Sequence, residues 1–158
     1  ATVAIPNFTK FQAKARSSES RAQLAALFTA QKAFNAEWNT YLSDIQTVGY
    51  RPNGALRYVT GIGAAYNGGA AYVASGQPYV AACLHTGVPA SCPISGGGWT
   101  NISSDVAGAA LATLDALAVA PTMTTFIAEA RGFVGGTAID TWTINENKLV
   151  ANPVPGNF

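Results

Sequence analysis

Residues 24–41 read Leu-Ala-Ala-Leu-Phe-Thr-Ala-Gln-Lys-Ala-Phe-Asn-Ala-Glu-Trp-Asn-Thr-Tyr. Leu24, Leu27, Phe28, Phe34, Trp38 and Tyr41 recur at steps of three and four, the mark of one helical face set against a core. Ala22, Ala25, Ala26, Ala30, Ala33 and Ala36 form a second surface of smaller residues beside it. No glycine or further proline interrupts the chain between Pro6 and Gly49, so the spacing predicts one helix over residues 1–41. Pro6 is compatible with that helix, because a proline in the first turn gives up an N–H that has no partner there. Burial of each large side chain is worth roughly 1.5–3 kcal/mol, so this half of the helix is the anchored one.

Working back toward the start, the large apolar stripe fades. Phe8 and Phe11 share a face, but Lys10, Lys14, Arg16, Ser17, Ser18, Glu19, Ser20 and Arg21 surround them. A helix with one end embedded and the other projecting fits this change of character. The expected organisation is therefore the helix over 1–41, its lower part projecting, and a globular head over 42–158.

Working forward, Ser43-Asp44 and Gly49-Tyr50-Arg51-Pro52-Asn53-Gly54 break the periodicity and read as a connecting loop. Ala55 to Ile62, with Leu56, Tyr58 and Thr60 alternating with Arg57 and Val59, reads as a first strand. Residues 62–122 form a glycine-rich middle with short apolar segments at 70–75 and 79–83, the loop Ser95-Gly96-Gly97-Gly98-Trp99, and a second helix capped by Ser103-Ser104-Asp105 and ended by Pro121. Thr124 to Phe133 reads as a strand with Phe126, Ala128 and Ala130 inward and Glu129 and Arg131 outward. Ile139 to Ile144 follows, with Trp142 and Ile144 on its buried side, and Lys148 to Ala151 returns as a short last strand after Asn145-Glu146-Asn147. The fold class is α+β: a long N-terminal helix packed on an antiparallel sheet.

With 158 residues, 49% hydrophobic and 11% charged, the chain is long enough for a real core. A formal charge of +1 gives no reason to expect nucleic acid as a partner. Cys83 and Cys92 flank a segment containing the turn-formers Gly87 and Pro89, so a disulfide is expected, worth on the order of 3 kcal/mol and implying an oxidising compartment. Two free, partly buried thiols are the alternative. His85 is the single histidine, which leaves too few ligands for a metal site, and no cofactor motif is present. No Gly-x-Ser-x-Gly occurs, and Asp105 with Asp115, like Asp140 with Glu146, reads as solvated surface charge, so no catalytic residue is expected.

Ala4-Ile5-Pro6-Asn7-Phe8, Phe11-Gln12-Ala13-Lys14-Ala15-Arg16, Ser18-Glu19 and Ala30-Gln31-Lys32 together resemble the N-terminal helix of type IV pilins, in particular the major pilins of deltaproteobacterial gliding and predatory bacteria. Gly49-Tyr50-Arg51-Pro52 is similar to their helix-to-sheet connector, and Asp140-Thr141-Trp142-Thr143-Ile144 with Asn147-Lys148-Leu149 resembles their last strands. The likeness covers both ends of the chain, and residues 62–122 match nothing in it. It implies the pilin fold, and a major pilin that assembles with copies of itself into a filament for adhesion, motility or prey or host contact. It also implies an upstream apolar segment that is processed by a prepilin peptidase, methylated, held in the inner membrane and then drawn by assembly machinery into an extracellular pilus, so that the chain from Ala1 is expected to be a truncated form.

On that reading Phe8, Phe11, Lys10, Lys14, Arg16 and Glu19 belong to the assembly surface, and Pro6 lowers the cost of local helix melting in a filament. Exposed ion pairs are individually weak, so a solvated collar is the alternative for the charged band. The competing function is a minor pilin or pseudopilin acting as a filament-tip binding module, with Tyr66, Tyr72, Tyr79 and Trp99 presenting aromatics to a ligand.

Overall fold

The computed structural model describes residues 4–45, 47–50, 56, 58–62, 69, 119–135 and 138–156. Side chains of 4–9, 134, 135 and 138 are not among what it describes. The cysteine pair Cys83 and Cys92, the segments at 70–75 and 79–83, the tyrosines and Trp99 of the glycine-rich middle, and the second helix up to residue 118 lie outside the described residues.

The helix α1 runs Ala4–Trp38, 35 residues, or about 52 Å at 1.5 Å per residue. It ends three residues short of the sequence expectation. Asn39 takes a positive φ of 53°, and its N–H closes on the Asn35 carbonyl at 2.8 Å. Asparagine tolerates this left-handed cap better than most residues, so it stops the helix without a glycine. Tyr41 is buried outside the helix, and its ring meets Phe126 at 4.7 Å.

The sheet is antiparallel with order β1-β2-β3-β4: β1 is Tyr58–Ile62, β2 Ile127–Gly135, β3 Ala138–Asn145 and β4 Val150–Val154. The register aligns Tyr58, Gly132 and Asp140 in one row and Thr60, Ala130 and Trp142 in the next. Together with Ala128 and Ile144 these residues form the face on which α1 lies. The core is built from Leu24, Leu27 and Phe34 of the helix with Phe126, Tyr41 and Ile144.

Several sequence expectations need correction. β1 is buried along its whole length, so the alternation at 58–62 is not an inside-outside pattern. Glu129, expected outward, is fully buried at 0% exposure, while Ile127, Arg131 and Phe133 on the same face of β2 are half-buried. β4 extends to Val154 and contains Pro153, further than the expected 148–151; an edge strand tolerates proline because one side of its ladder is unused. Its hairpin is tied by Asn145, whose side-chain oxygen accepts from the N–H groups of Asn147 and Leu149, and Lys148 turns the chain at φ 62°.

Candidate functional site

The surface with which a long helix can act is set by how much of it the sheet consumes. Here the consumed face starts much lower than the large apolar residues suggest. Ala13, Ser17, Ser20, Leu24, Leu27, Gln31 and Phe34 are all buried and spaced by three or four throughout. The lower half therefore does carry a stripe, made of small and polar residues rather than large apolar ones. Ser20 satisfies its hydroxyl on the Ser17 carbonyl at 2.7 Å, so it occupies the interface without demanding a partner across it.

The sheet answers this stripe with polar side chains. Thr60 donates to Gln23 Oε1 at 2.5 Å, joining β1 to the helix, and Gln23 Nε2 donates to Glu19 at 2.8 Å. Asp140, read from the sequence as a solvated charge, is only 1% exposed. Its Oδ2 accepts from Tyr58 Oη and from Trp142 Nε1, each at 2.7 Å. Its Oδ1 accepts from Asn152 Nδ2 and the Gly156 N–H, each at 3.1 Å. Four donors on one carboxylate are what a buried charge requires. Asp140 thereby joins β1, β3, β4 and the chain beyond β4. Burial first, and then the Asp140 carboxylate, push the Tyr58 phenol well above its ordinary value. Burial likewise pushes Tyr50 up to about 12, with the Glu19 charge adding to the rise and the Thr60 hydroxyl opposing it.

Above this polar segment, Gln31 clamps the chain that leaves the helix. Its Nε2 donates to the Leu42 carbonyl at 2.6 Å and its Oε1 accepts the Leu42 N–H at 3.3 Å. The clamp holds Tyr41 and Leu42 over the core, where Phe126 stacks against Tyr41 and, at 6.1 Å, against Phe28.

What remains uncovered is the opposite side of α1. Phe11 is 72% exposed, and Lys10 and Lys14 beside it are exposed too. Arg16 and Glu19 are half-buried. Pro6 and Phe8 lie within the helix by backbone, their side chains outside the description. Of the residues assigned to the helix-to-sheet contact, Leu24, Leu27, Phe34 and Ile144 are buried, while Phe28, Trp38 and Trp142 are half-buried against them. Sequence reasoning missed Ala13, Ser17, Ser20 and Asp140; the continued three-and-four spacing below Leu24 is the signal that finds the first three.

Residues 11–67, spanning α1 from its exposed Phe11 through the connector and β1, match the family model described as Type IV pilin PilA. Over this segment the chain is similar to type IV pilins. The chain is also similar to the Type IV major pilin protein PilA of Myxococcus xanthus (strain DK1622), with 45% identity over 58 residues. That alignment takes in 37% of this chain and 26% of the relative, so the chain spans about a quarter of the length of the pilin it matches. The helix on a four-stranded antiparallel sheet agrees with the α+β pilin fold. Among the described residues, no helix is long and apolar enough to cross a membrane, and no group of histidine, cysteine and acidic side chains is placed to hold a metal ion.

Proposed function

We propose that this chain is the structural subunit of a type IV pilus, its major pilin, polymerising with copies of itself through α1. The observation that carries the reading is the form of the helix in the pilin-like segment. It is attached to the sheet by one face from Ala13 upward, and it presents Phe11, 72% exposed, on the side away from the sheet. One exposed phenylalanine is ordinary by itself, and it is its place on the sheet-free side of the pilin-like helix that supports a contact with another subunit. The relative is by its name a major pilin, which favours an abundant filament component.

In this reading the subunit is processed by a prepilin peptidase, waits in the inner membrane by way of an upstream apolar segment, and is handed by the pilus machinery into a filament on the cell surface. The filament serves adhesion, motility or contact with prey or host. The chain acts by packing and has no chemical step.

The test is to shear filaments from the cells that make the protein and identify their main component by mass spectrometry, including its N-terminal residues. The expected result is a dominant band carrying this sequence, preceded by an apolar segment with a processed, methylated N-terminus. Filaments in which the chain is absent or a trace component would remove the major-pilin reading.

A further inference from the structure

Two ammonium groups from distant parts of the chain meet over one ring beside the upper half of α1. Lys32 lies 5.7 Å over Phe28, one turn before it on the same helix face. Lys148, from the β3–β4 turn, lies 6.0 Å over the same ring. Both lysines are exposed, and Phe28 is half-buried. Lys32 also lies 5.5 Å over Tyr41 and donates to its Oη at 2.9 Å. An ammonium carries three donors, so Lys32 keeps two for a further acceptor. None of the described residues accepts from the Lys148 ammonium, whose contact among them is the Phe28 ring.

Lys148 also occupies a place in the chain that does not favour lysine. Glu146, Asn147 and Lys148 turn the chain between β3 and β4, with the Lys148 N–H on the Asn145 carbonyl at 2.9 Å and the Asn145 N–H on the Leu149 carbonyl at 3.3 Å. The last place of such a three-residue loop is left-handed and is normally given to glycine. Lys148 holds it at φ 62°, where a side chain is strained against the backbone. Glycine or asparagine would make this turn at less cost, so turn formation alone does not account for a lysine. From here the side chain reaches α1 and brings a second ammonium to the ring that Lys32 already covers.

Among the described residues the nearby acids are engaged or turned elsewhere. Glu146, in the same turn, accepts from the Asn147 side chain at 2.8 Å. Glu37 stands five residues beyond Lys32, about 140° further round the helix. Asp44 is buried and accepts from Thr47. Two like charges at one ring repel, and the negative face of a benzene ring offsets this only in part. We propose that Lys32 and Lys148 form a binding site for an oxyanion, a sulfate, phosphate or carboxylate group held by charge-assisted hydrogen bonds from both ammonium groups. Lysine stems are flexible, so the two heads close on one group while the Phe28 ring keeps the stems together. The group is either free in solution or a substituent of a larger molecule, and its chemistry is the same in both. The site lies within one subunit and needs no filament to form.

Amide NMR of the purified chain, titrated at constant ionic strength with sodium sulfate, dextran sulfate or neutral dextran, tests the site. Saturable shifts are expected at Asn147, Lys148 and Leu149 and around Lys32, with Lys10 and Lys14 unmoved. Saturation by sulfate makes the free anion sufficient, whereas saturation by dextran sulfate alone assigns the site to a polymer-borne group. Lys32→Gln and Lys148→Gly are each expected to weaken binding about tenfold or more, through loss of a charge-assisted hydrogen bond. Lys148→Gly should at the same time raise the urea midpoint, because glycine relieves the left-handed turn, which separates loss of binding from loss of fold. Shifts spread equally over Lys10 and Lys14 would mean general screening of charge. That result, the lack of any saturable shift, neutral dextran binding as well as dextran sulfate, or unchanged affinity in either variant overturns the site.

Discussion

The upper and lower halves of the contact between α1 and the sheet have the same spacing and opposite chemistry. Above Leu24 the helix sinks Leu24, Leu27 and Phe34 into a cluster with Phe126, Tyr41 and Ile144. Below it, Ala13, Ser17, Ser20 and Gln23 meet a sheet surface of Tyr58, Thr60 and Asp140. The upper half gains by removing large apolar surface from water, at about 25 cal/mol per Å². The lower half has little such surface to remove. It gains by close approach, and by hydrogen bonds that the sheet makes among its own residues and to Gln23. One helix can therefore be bound along most of its length while its lower half stays polar enough to be exposed on its other sides.

The upper half should be the more costly to injure. Phe126 is almost fully buried and touches both Tyr41 and Phe28. Phe126→Ala is expected to cost about 3–5 kcal/mol in urea denaturation. A cost under about 1 kcal/mol would mean that the aromatic cluster is not what anchors the helix, and the contrast between the halves would collapse.

Asp140 is the corresponding point for the lower half. Asp140→Ala leaves the Tyr58 hydroxyl, the Trp142 N–H, the Asn152 amide and the Gly156 N–H without their acceptor. A loss of about 2–3 kcal/mol is expected, since buried donors left unpaired cost more than the net worth of the bonds. Hydrogen exchange should rise first at Gly156 and along β4, which Asp140 ties to the sheet. Exchange rising instead along the upper helix would show that the carboxylate acts on the whole interface rather than on its lower part.

The two halves were unequally legible in the sequence for the same reason. Leu24, Leu27 and Phe34 stand out because hydrophobic side chains at helical period have one common explanation. Ser17 and Ser20 share that period but are the residues a solvated helix face would also carry, so hydropathy alone cannot separate the two. Asp140 and Glu129 were missed because charge is normally a surface property; for Asp140 it is the register, which sets it in one row with Tyr58 across Gly132, that brings its hydrogen-bond donor within reach. The helix end was misplaced because Asn39 reaches a left-handed cap that composition does not announce. The hairpin at Asn145 was readable, since its side chain forms the turn locally.

A smaller effect separates the halves by pH. Tyr50 and Tyr58 both border the polar half, and both phenols are held above their ordinary value of 10.0 by burial. Between that value and about 12 the unfolded chain loses the Tyr50 proton while the folded chain keeps it. The folded state then binds more protons, so stability is fully present below the unfolded value and falls as pH rises through this window. On the order of 2–3 kcal/mol is at stake for Tyr50. Urea midpoints measured across the alkaline range should fall in that window, and Tyr50→Phe should make the fall shallower. An unchanged slope in Tyr50→Phe would assign the alkaline loss to other groups.

The smallest expected effect is the most discriminating. If the lower half depends on closeness rather than on polarity, the hydroxyl of Ser20 is dispensable, because it bonds only to the Ser17 carbonyl of its own helix. Ser20→Ala keeps the volume nearly constant and should change stability by less than about 0.5 kcal/mol, or raise it slightly through better helix propensity. Ser20→Leu would continue the apolar stripe of Leu24 and Leu27 downward and is the substitution that hydropathy alone recommends. Ser20 is fully buried, so the added bulk has no room and should cost about 1–3 kcal/mol. The pair of variants separates the two accounts. Stability gained by leucine would mean that the lower interface is merely a weaker version of the upper one, whereas loss with leucine and neutrality with alanine would mean that its small residues are selected to bring helix and sheet together.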